Sequence, residues 1–415
     1  MFTSISGSEL VLLKALKTMS SNDFIKDRLR VKLLAFPAAE LSVFDKAKKK
    51  YMGLFNPEEM EFVNDKPDVL MFLTGGSEHI AIESVQEYRF YLLLASREAN
   101  AWAAATEVKA WMNQHNIRSV LLDADNPSTA EYLSEYYNAF VGVRKLHGQR
   151  LGVVGSSSPW LVASGVNPYL LQSKLGVEQV DISWDDIVFD EISQVSPDFT
   201  SLFGMAENRV ELIESGKIYE GLASLIPFYR LNAMAVECFP LVNKTGHTAC
   251  LALAKLNYDG IPTACEADIC SAAAMMLSSE VCNAIPWMAN VAHVGNGKAI
   301  LTHCTAPVNH LTSFKLDTHF ETGKGYAVSG QLKGDEVTIF RFDSTLNHIF
   351  VTLARVTDKP KSRNACRTQL EVELSPSASK YFTETPFGNH HMVLPGNWVQ
   401  RLTLAAELLN VGVVS

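Results

Sequence analysis

The chain has 415 residues, more than one ordinary hydrophobic core accommodates, so two or three domains are expected. Apolar residues make up 47% and charged residues 20%, and the net charge of −9 speaks against nonspecific binding to nucleic acid or an anionic membrane. No apolar run reaches the roughly 18–20 residues that span a bilayer.

The N-terminal MFTSISGSELVLLKALKTM lacks the basic-then-apolar pattern of a secretory leader. Seven cysteines is an odd number, and a chain this long needs no disulfides, so a reduced, cytoplasmic protein is expected. The basic run KAKKKY (46–51) reads as a solvated helix face. RVKLLAFP (30–37), PDVLMFLTGG (67–76), RFYLLLAS (89–96) and RSVLLDAD (118–125) are apolar runs of strand length. Between them NAWAAATEVKAWMNQHN (100–116) carries apolar residues at helical spacing, and the alternation predicts a parallel sheet in an α/β domain over 1–147.

A second α/β domain, 148–288, opens with GQRLGVVGSSSPWLVASGVNPYLLQSKLGVEQVDIS (148–183), read as strand, Gly/Ser turn, helix and strand. The segment 217–241 reads as mainly helical. After about residue 290 short strands follow one another (KAILTHCTA, YAVSGQLKGDEVTIFRFD, HIFVTLARVT, TQLEVELS), giving a β-rich domain over 289–415 that a helix at 397–410 closes.

Several short stretches combine polar groups with positions where ligands bind. In TGGSEH (74–79) a strand ends in Gly75 and Gly76, which let backbone N–H groups face a ligand; the plainer reading is a β–α turn with Ser77 or Glu78 serving the first helical turn. In GSSSPW (155–160) Ser158 before Pro159 suits a helix N-cap, with a ligand role for this turn as the alternative. Six cysteines lie between Cys238 and Cys304 without the paired C-x₂-C spacing of zinc sites, so they read as buried packing residues. Glu266 and Asp268 follow a short strand candidate and precede a small-residue helix. Asp268 suits the N-cap of that helix, whereas Glu266 sits at a sheet edge amid apolar sequence, where a carboxylate needs a partner or a metal. His303 ends a strand-like run, and His390 and His391 are neighbours that would point to opposite faces of a strand.

Taken in order, TGGSEH, GSSSPWLVASGVN, ACEAD, PWMANV, THCTAP and GNHHMVLPGNW resemble the L-fucose isomerase-like family over nearly the whole chain. The resemblance implies two Rossmann-like N-terminal α/β domains with parallel sheets and a C-terminal β-rich, barrel-like domain. It also implies a homo-oligomer, trimeric or hexameric, with active sites near subunit contacts; the charge and the lack of a long apolar run already speak against a nucleic-acid or membrane partner. A divalent metal, usually manganese, would be held by a glutamate, an aspartate and a late histidine. On this chain Glu266 matches the glutamate, His390 or His391 the late histidine, and His303 a substrate-side histidine. Gly75, Gly76, Ser77, Glu78, Ser158 and Trp160 fall on the substrate-side turns. Where the family has Ala-Asp, this chain has Ala289-Asn290, and an amide oxygen can ligate a metal but cannot act as a base.

The implied reaction is aldose–ketose interconversion of a small open-chain sugar through an ene-diolate, with the metal as Lewis acid and carboxylates moving the proton. Asn290 keeps two alternatives open. One is a relative that uses the same metal for C–C cleavage or group transfer on a keto-sugar; the other is a non-catalytic sugar-binding protein.

Overall fold

A computed structural model describes residues 28–87 and 89–415, so the N-terminal stretch lies outside the described residues. The described residues divide into two compact units: 28–141 with Leu404–Asn410, and Gly142–Thr403 with Val411–Ser415.

The first unit holds a parallel sheet of β1 (Leu29–Leu34), β2 (Met60–Phe62), β3 (Val69–Phe72), β4 (Tyr91–Ala95) and β5 (Ser119–Asp123), in the order β2-β1-β3-β4-β5. Every residue of β3 and β4 is buried, which accounts for their unbroken apolar sequences. The helix Ala101–Gln114 turns Ala101, Ala104, Ala105, Val108 and Met112 to the core, the spacing read from the sequence. In the helix Leu41–Tyr51, Lys46, Lys49 and Lys50 are exposed while Ala47 and Tyr51 are buried, so the basic run is a solvated face.

The second unit contains a four-stranded parallel sheet and the β-rich region. β6 (Arg150–Val154), β7 (Glu178–Ile182), β8 (Ala233–Val236) and β9 (Thr263–Cys265) run in the order β7-β6-β8-β9. The segment expected to be helical over 217–241 is interrupted: the helix Arg209–Tyr229 ends at Arg230 in the left-handed region, and AMAV forms the buried strand β8 before a short helix, Cys238–Thr245. An apolar run of four residues satisfies either pattern, and burial between two strands decides it.

After the helix Ile269–Val281 come β10 (Trp287–Gly295), β11 (Lys298–His303), β12 (Leu311–Thr318), β13 (Tyr326–Leu332), β14 (Glu336–Phe342), β15 (His348–Asp358), β16 (Thr368–Glu373), β17 (His390–Pro395) and β18 (Gly412–Val414). β12 and β13 form a separate hairpin. The others make a sheet in the order β14-β17-β10-β11-β16-β15-β18, and because β14 also pairs with β15, six of its strands close into a ring. Closure removes unpaired edges, which accounts for the completely buried Val337, Ile339, Phe340 and Phe342 on β14.

The short strand β9 is held in register at its first residue. Asn257, on the helix Cys250–Tyr258, donates Nδ2–H to the Thr263 carbonyl (2.9 Å) and accepts the Thr263 N–H on Oδ1 (2.8 Å). On the same helix the buried Lys255 ammonium lies 2.6 Å from both carboxylate oxygens of the buried Asp259, and Tyr219 donates its hydroxyl to Asp259 Oδ2 (2.9 Å). Breaking such a pair strands a charge in low dielectric, at about 3–5 kcal/mol, whereas replacing both partners by apolar groups costs far less. Asp259→Ala is therefore expected to lower the denaturant midpoint sharply, and the pair Lys255→Met with Asp259→Leu to recover most of the loss. An equal loss in both would mean that shape, not charge, dominates here.

Candidate active site

Glu266 stands where the parallel sheet ends. β9 stops at Cys265, and the next two residues, Glu266 (φ 59°) and Ala267 (φ 49°), both take the left-handed conformation before Asp268 returns to extended backbone. Two consecutive left-handed residues bearing side chains are costly and persist only when neighbours hold them. Here Ala267 N–H donates to the Val236 carbonyl (3.0 Å), Ser158 N–H to the Glu266 carbonyl (3.1 Å) and Ser157 Oγ–H to the Ala267 carbonyl (2.8 Å). The Gly/Ser turn after β6 thus clamps the turn after β9. Gly155 (φ 79°) makes that turn possible, because a Cβ there would collide with the Glu237 carboxylate.

Asp268 caps the helix Ile269–Val281 as the sequence suggests, with Oδ1 accepting the Ser271 N–H at 2.8 Å. Its other oxygen does more. Oδ2 accepts Nδ1–H of His390 (2.9 Å) and lies 3.4 Å from Nη1 of Arg341, and all three side chains are buried. Burial by itself would raise the Asp268 carboxyl. The Arg341 charge, the hydrogen bond and charge of His390, and the Ser271 N–H outweigh it and pull the group well below the usual carboxylate range. Asp268 is therefore an anion that accepts Nδ1–H of His390 and turns Nε2 of that ring toward Glu266. Arg341 is held in turn by the His390 carbonyl (2.5 Å) and Ser164 Oγ (2.8 Å), with Gly388 lying where a Cβ would strike the guanidinium at 2.5 Å.

Nε2 of His390 is buried, has no hydrogen-bond partner among the described residues, and lies 3.8 Å from Glu266 Oε1. The His303 ring stands edge-on to the His390 ring, centroids 5.7 Å apart, with its Nδ1 2.9 Å from Thr305 Oγ1. Burial first, then His390 and His319, hold the His303 imidazole well below its usual pKa, so it is neutral. Glu266, His303 and His390 each offer a ligand atom, and these atoms lie within 4.8 Å of one another. One carboxylate and two imidazoles, with an unpartnered ring nitrogen beside the carboxylate, fit a divalent transition cation.

The other residues singled out in the sequence fall in several places. His391 points away from the cluster: Nε2 meets the Tyr381 hydroxyl (3.0 Å), Nδ1 the Asn389 carbonyl (3.0 Å), and the ring packs among Phe350, Tyr381 and Phe382. Asn290 lies directly opposite His390 in the β10–β17 register, so it shares that face, but its Oδ1 accepts from Asn389 Nδ2 (2.5 Å). Trp160, 53% exposed, donates its indole N–H to Glu266 Oε2 (2.5 Å) and stands edge-on to Phe239. Ser158 opens a turn rather than a helix; the next helix starts at Pro168, capped by Asn167. Ser158 Oγ is buried without a partner among the described residues. Gly75, Gly76, Ser77 and Glu78 belong to the other compact unit. There Ser77 Oγ–H donates to the Thr74 carbonyl (3.0 Å), Gly76 (φ 74°) packs under Phe36, and Glu78 opens the helix Glu78–Glu83.

Three participants carry no sequence signal: Arg341, His319 and Glu321. His319 and Glu321 lie in the turn of the β12–β13 hairpin, His319 Nε2 3.8 Å from Glu321 Oε2 and its ring edge-on to Phe239. Burial first, then the charge of Glu266, raise the Glu321 carboxyl above its usual range against an opposing effect of His390, so it lies within electrostatic reach of both. All seven cysteines are buried with free thiols. Among the described residues no helix is long and apolar enough to cross a membrane.

Proteins of known name that are similar to this chain point one way. Over 319 residues, 72% of this chain and 71% of the relative, it is 24% identical to proteins named sulfoquinovose isomerase from Priestia aryabhattai and Priestia megaterium. A protein of the same name from Alkalicoccus urumqiensis is 22% identical over 323 residues, 73% of this chain and 72% of its own length. The chain is similar to sugar isomerases. No family model matches it.

Removing the charge of Asp268 separates its capping role from its hold on His390. Asp268→Asn keeps an oxygen for the helix cap but no longer fixes the His390 tautomer, and outer partners of this kind are worth about 10–100-fold in metal affinity. Manganese titration followed by electron paramagnetic resonance is expected to show that loss while circular dichroism keeps the native helix content. Unchanged affinity would reduce Asp268 to a cap.

Proposed function

We propose that this chain is a metal-assisted isomerase that interconverts the aldose and ketose forms of a sulfonated sugar, sulfoquinovose being the substrate named for its relatives. The observation that carries this reading is the convergence of Glu266, His303 and His390 beside an exposed tryptophan. Those three residues would hold manganese, as the resemblance implies, or another divalent cation. When bound it supplies Lewis-acid polarisation of the adjacent carbonyl and hydroxyl oxygens.

The chain supplies the rest. Trp160 offers an aromatic face on which the C–H surface of a sugar can lie, and its N–H keeps Glu266 in place. Asn290 is neutral and cannot take a proton, so the base must come from elsewhere. Glu321 fits that role, because its side chain is 46% exposed and open to substrate, and its carboxyl is shifted upward as a general base requires. In this reading Glu321 takes the proton from C2 of the aldose and returns it to C1. Asn290 also suits an anionic sugar, since an aspartate there would add repulsion against a sulfonate. The homo-oligomer implied by the resemblance belongs to the same proposal, with light scattering as its check.

Turnover of sulfoquinovose in D₂O with manganese tests the reading, with solvent deuterium expected at the carbon that gains the proton. Glu266→Gln is expected to abolish turnover. Glu321→Gln should lower kcat by about 10²–10⁴ with little change in KM. No turnover by the wild-type chain on sulfonated or neutral sugars would end the isomerase reading, and a normal rate in Glu321→Gln would end the assignment of the base. In a further variant, Asn290→Asp, we expect tighter manganese binding and a preference shifted from the sulfonated toward the neutral sugar, read from the ratio of their kcat/KM values.

A further inference from the structure

A cavity of about 490 Å³ opens between the β12–β13 hairpin and the segment that joins β15 to β16. Five cationic side chains line it, Lys315, Lys359, Lys361, Arg363 and Arg367, against one carboxylate, Asp317. This is a strong local excess of positive charge on a chain whose net charge is −9.

The cations are poorly neutralised. Asp317 is shared, 3.7 Å from Lys315 Nζ and 3.8 Å from Arg363 Nη1. Lys359 and Lys361 have no acidic partner among the described residues. Arg367 is oriented without being neutralised: Nε donates to the Thr318 carbonyl (2.6 Å), Nη1 to the Arg363 carbonyl (3.3 Å), and the guanidinium lies 5.7 Å from the centre of the Phe320 ring. Gathering five like charges around one concavity is unfavourable unless an anion enters it, and such a cleft concentrates anions from solution.

We infer that this cavity binds a small, multiply charged oxyanion, the phosphate or pyrophosphate group of a metabolite. Lysine point charges and guanidinium forks suit tetrahedral oxyanions. The volume holds a metabolite-sized ligand, whereas nucleic acid needs an extended basic track. None of the five cations belongs to the Glu266 cluster; Arg367 is anchored to the turn that carries Glu321, whereas Lys361 and Arg363 are not, so a test on those two does not rest on the isomerase reading.

Calorimetric titration of the full chain with inorganic pyrophosphate tests it, in buffer free of divalent metal so that no cation holds the probe. We expect saturable binding, one per chain, that weakens as salt rises. Exposed Lys361 and Arg363 can be changed without disturbing the core, and K361A/R363A is expected to bind about tenfold or more weakly while keeping the parent's basal turnover. Absence of saturable heat, or equal affinity in the double variant, would overturn the inference. So would tight binding of a single-stranded RNA oligomer in place of pyrophosphate, since that would make the surface a track for a macromolecule.

Discussion

A carboxylate removed from water costs several kcal/mol unless charges and hydrogen bonds replace the lost hydration. Asp268 meets that condition with three partners from three parts of the chain: the first turn of its own helix, His390 on β17 and Arg341 on β14. Arg341 is itself fully buried and depends on Asp268 for charge balance and on the His390 carbonyl and Ser164 for hydrogen bonds. The same carboxylate therefore fixes the parallel sheet to the strand ring and sets which nitrogen of His390 carries a proton.

The strained turn after β9 complements this lock. Left-handed Glu266 and Ala267 throw the glutamate side chain off the sheet edge toward β17, and the Gly/Ser turn after β6 holds their carbonyls. Strain of this kind is stored at sites that need a side chain in one place. His303 reaches the same spot because it ends β11, two strands from β17 in the ring. Three potential ligand atoms thus meet through backbone geometry, the preorganisation that metal binding and catalysis both exploit.

Much of this is legible in the sequence where a residue departs from its local pattern. The unbroken apolar runs of β3 and β4 announce a buried parallel sheet, and Glu266 stands out as a carboxylate between two apolar stretches. Strand alternation requires that His390 and His391 part company, but which of them faces Glu266 depends on pairing with β10 and β14, information that is not local. Arg341, in EVTIFRF, shares its strand face with Val337 and Ile339; its partner Asp268 lies 73 residues away, and only folding brings the two together. Ser158 before Pro159 carries a genuine capping signal, yet the chain spends that serine's N–H on the Glu266 carbonyl and starts its helix later. Glu321 has no signal because a hairpin turn is where acids normally sit, and only folding places it within reach of Glu266.

Asn290 is best understood through charge. Around His390 the structure already places two carboxylates, Glu266 and the ionised Asp268, against one guanidinium. A third acid at the position facing His390 would leave the site two charges short of neutrality until a cation bound, and like charges at such distances oppose one another's ionisation. An amide in that position keeps the shape and the hydrogen bond with Asn389 while removing the repulsion. In the proposed reading a metal there would have one carboxylate and two imidazoles as ligands, a set weaker toward hard cations than a two-carboxylate shell and relatively better suited to transition metals. In the same reading the proton-moving carboxylate is Glu321 on the β12–β13 turn, apart from the residues that would hold the metal, so it would act without giving up its lone pairs to a cation.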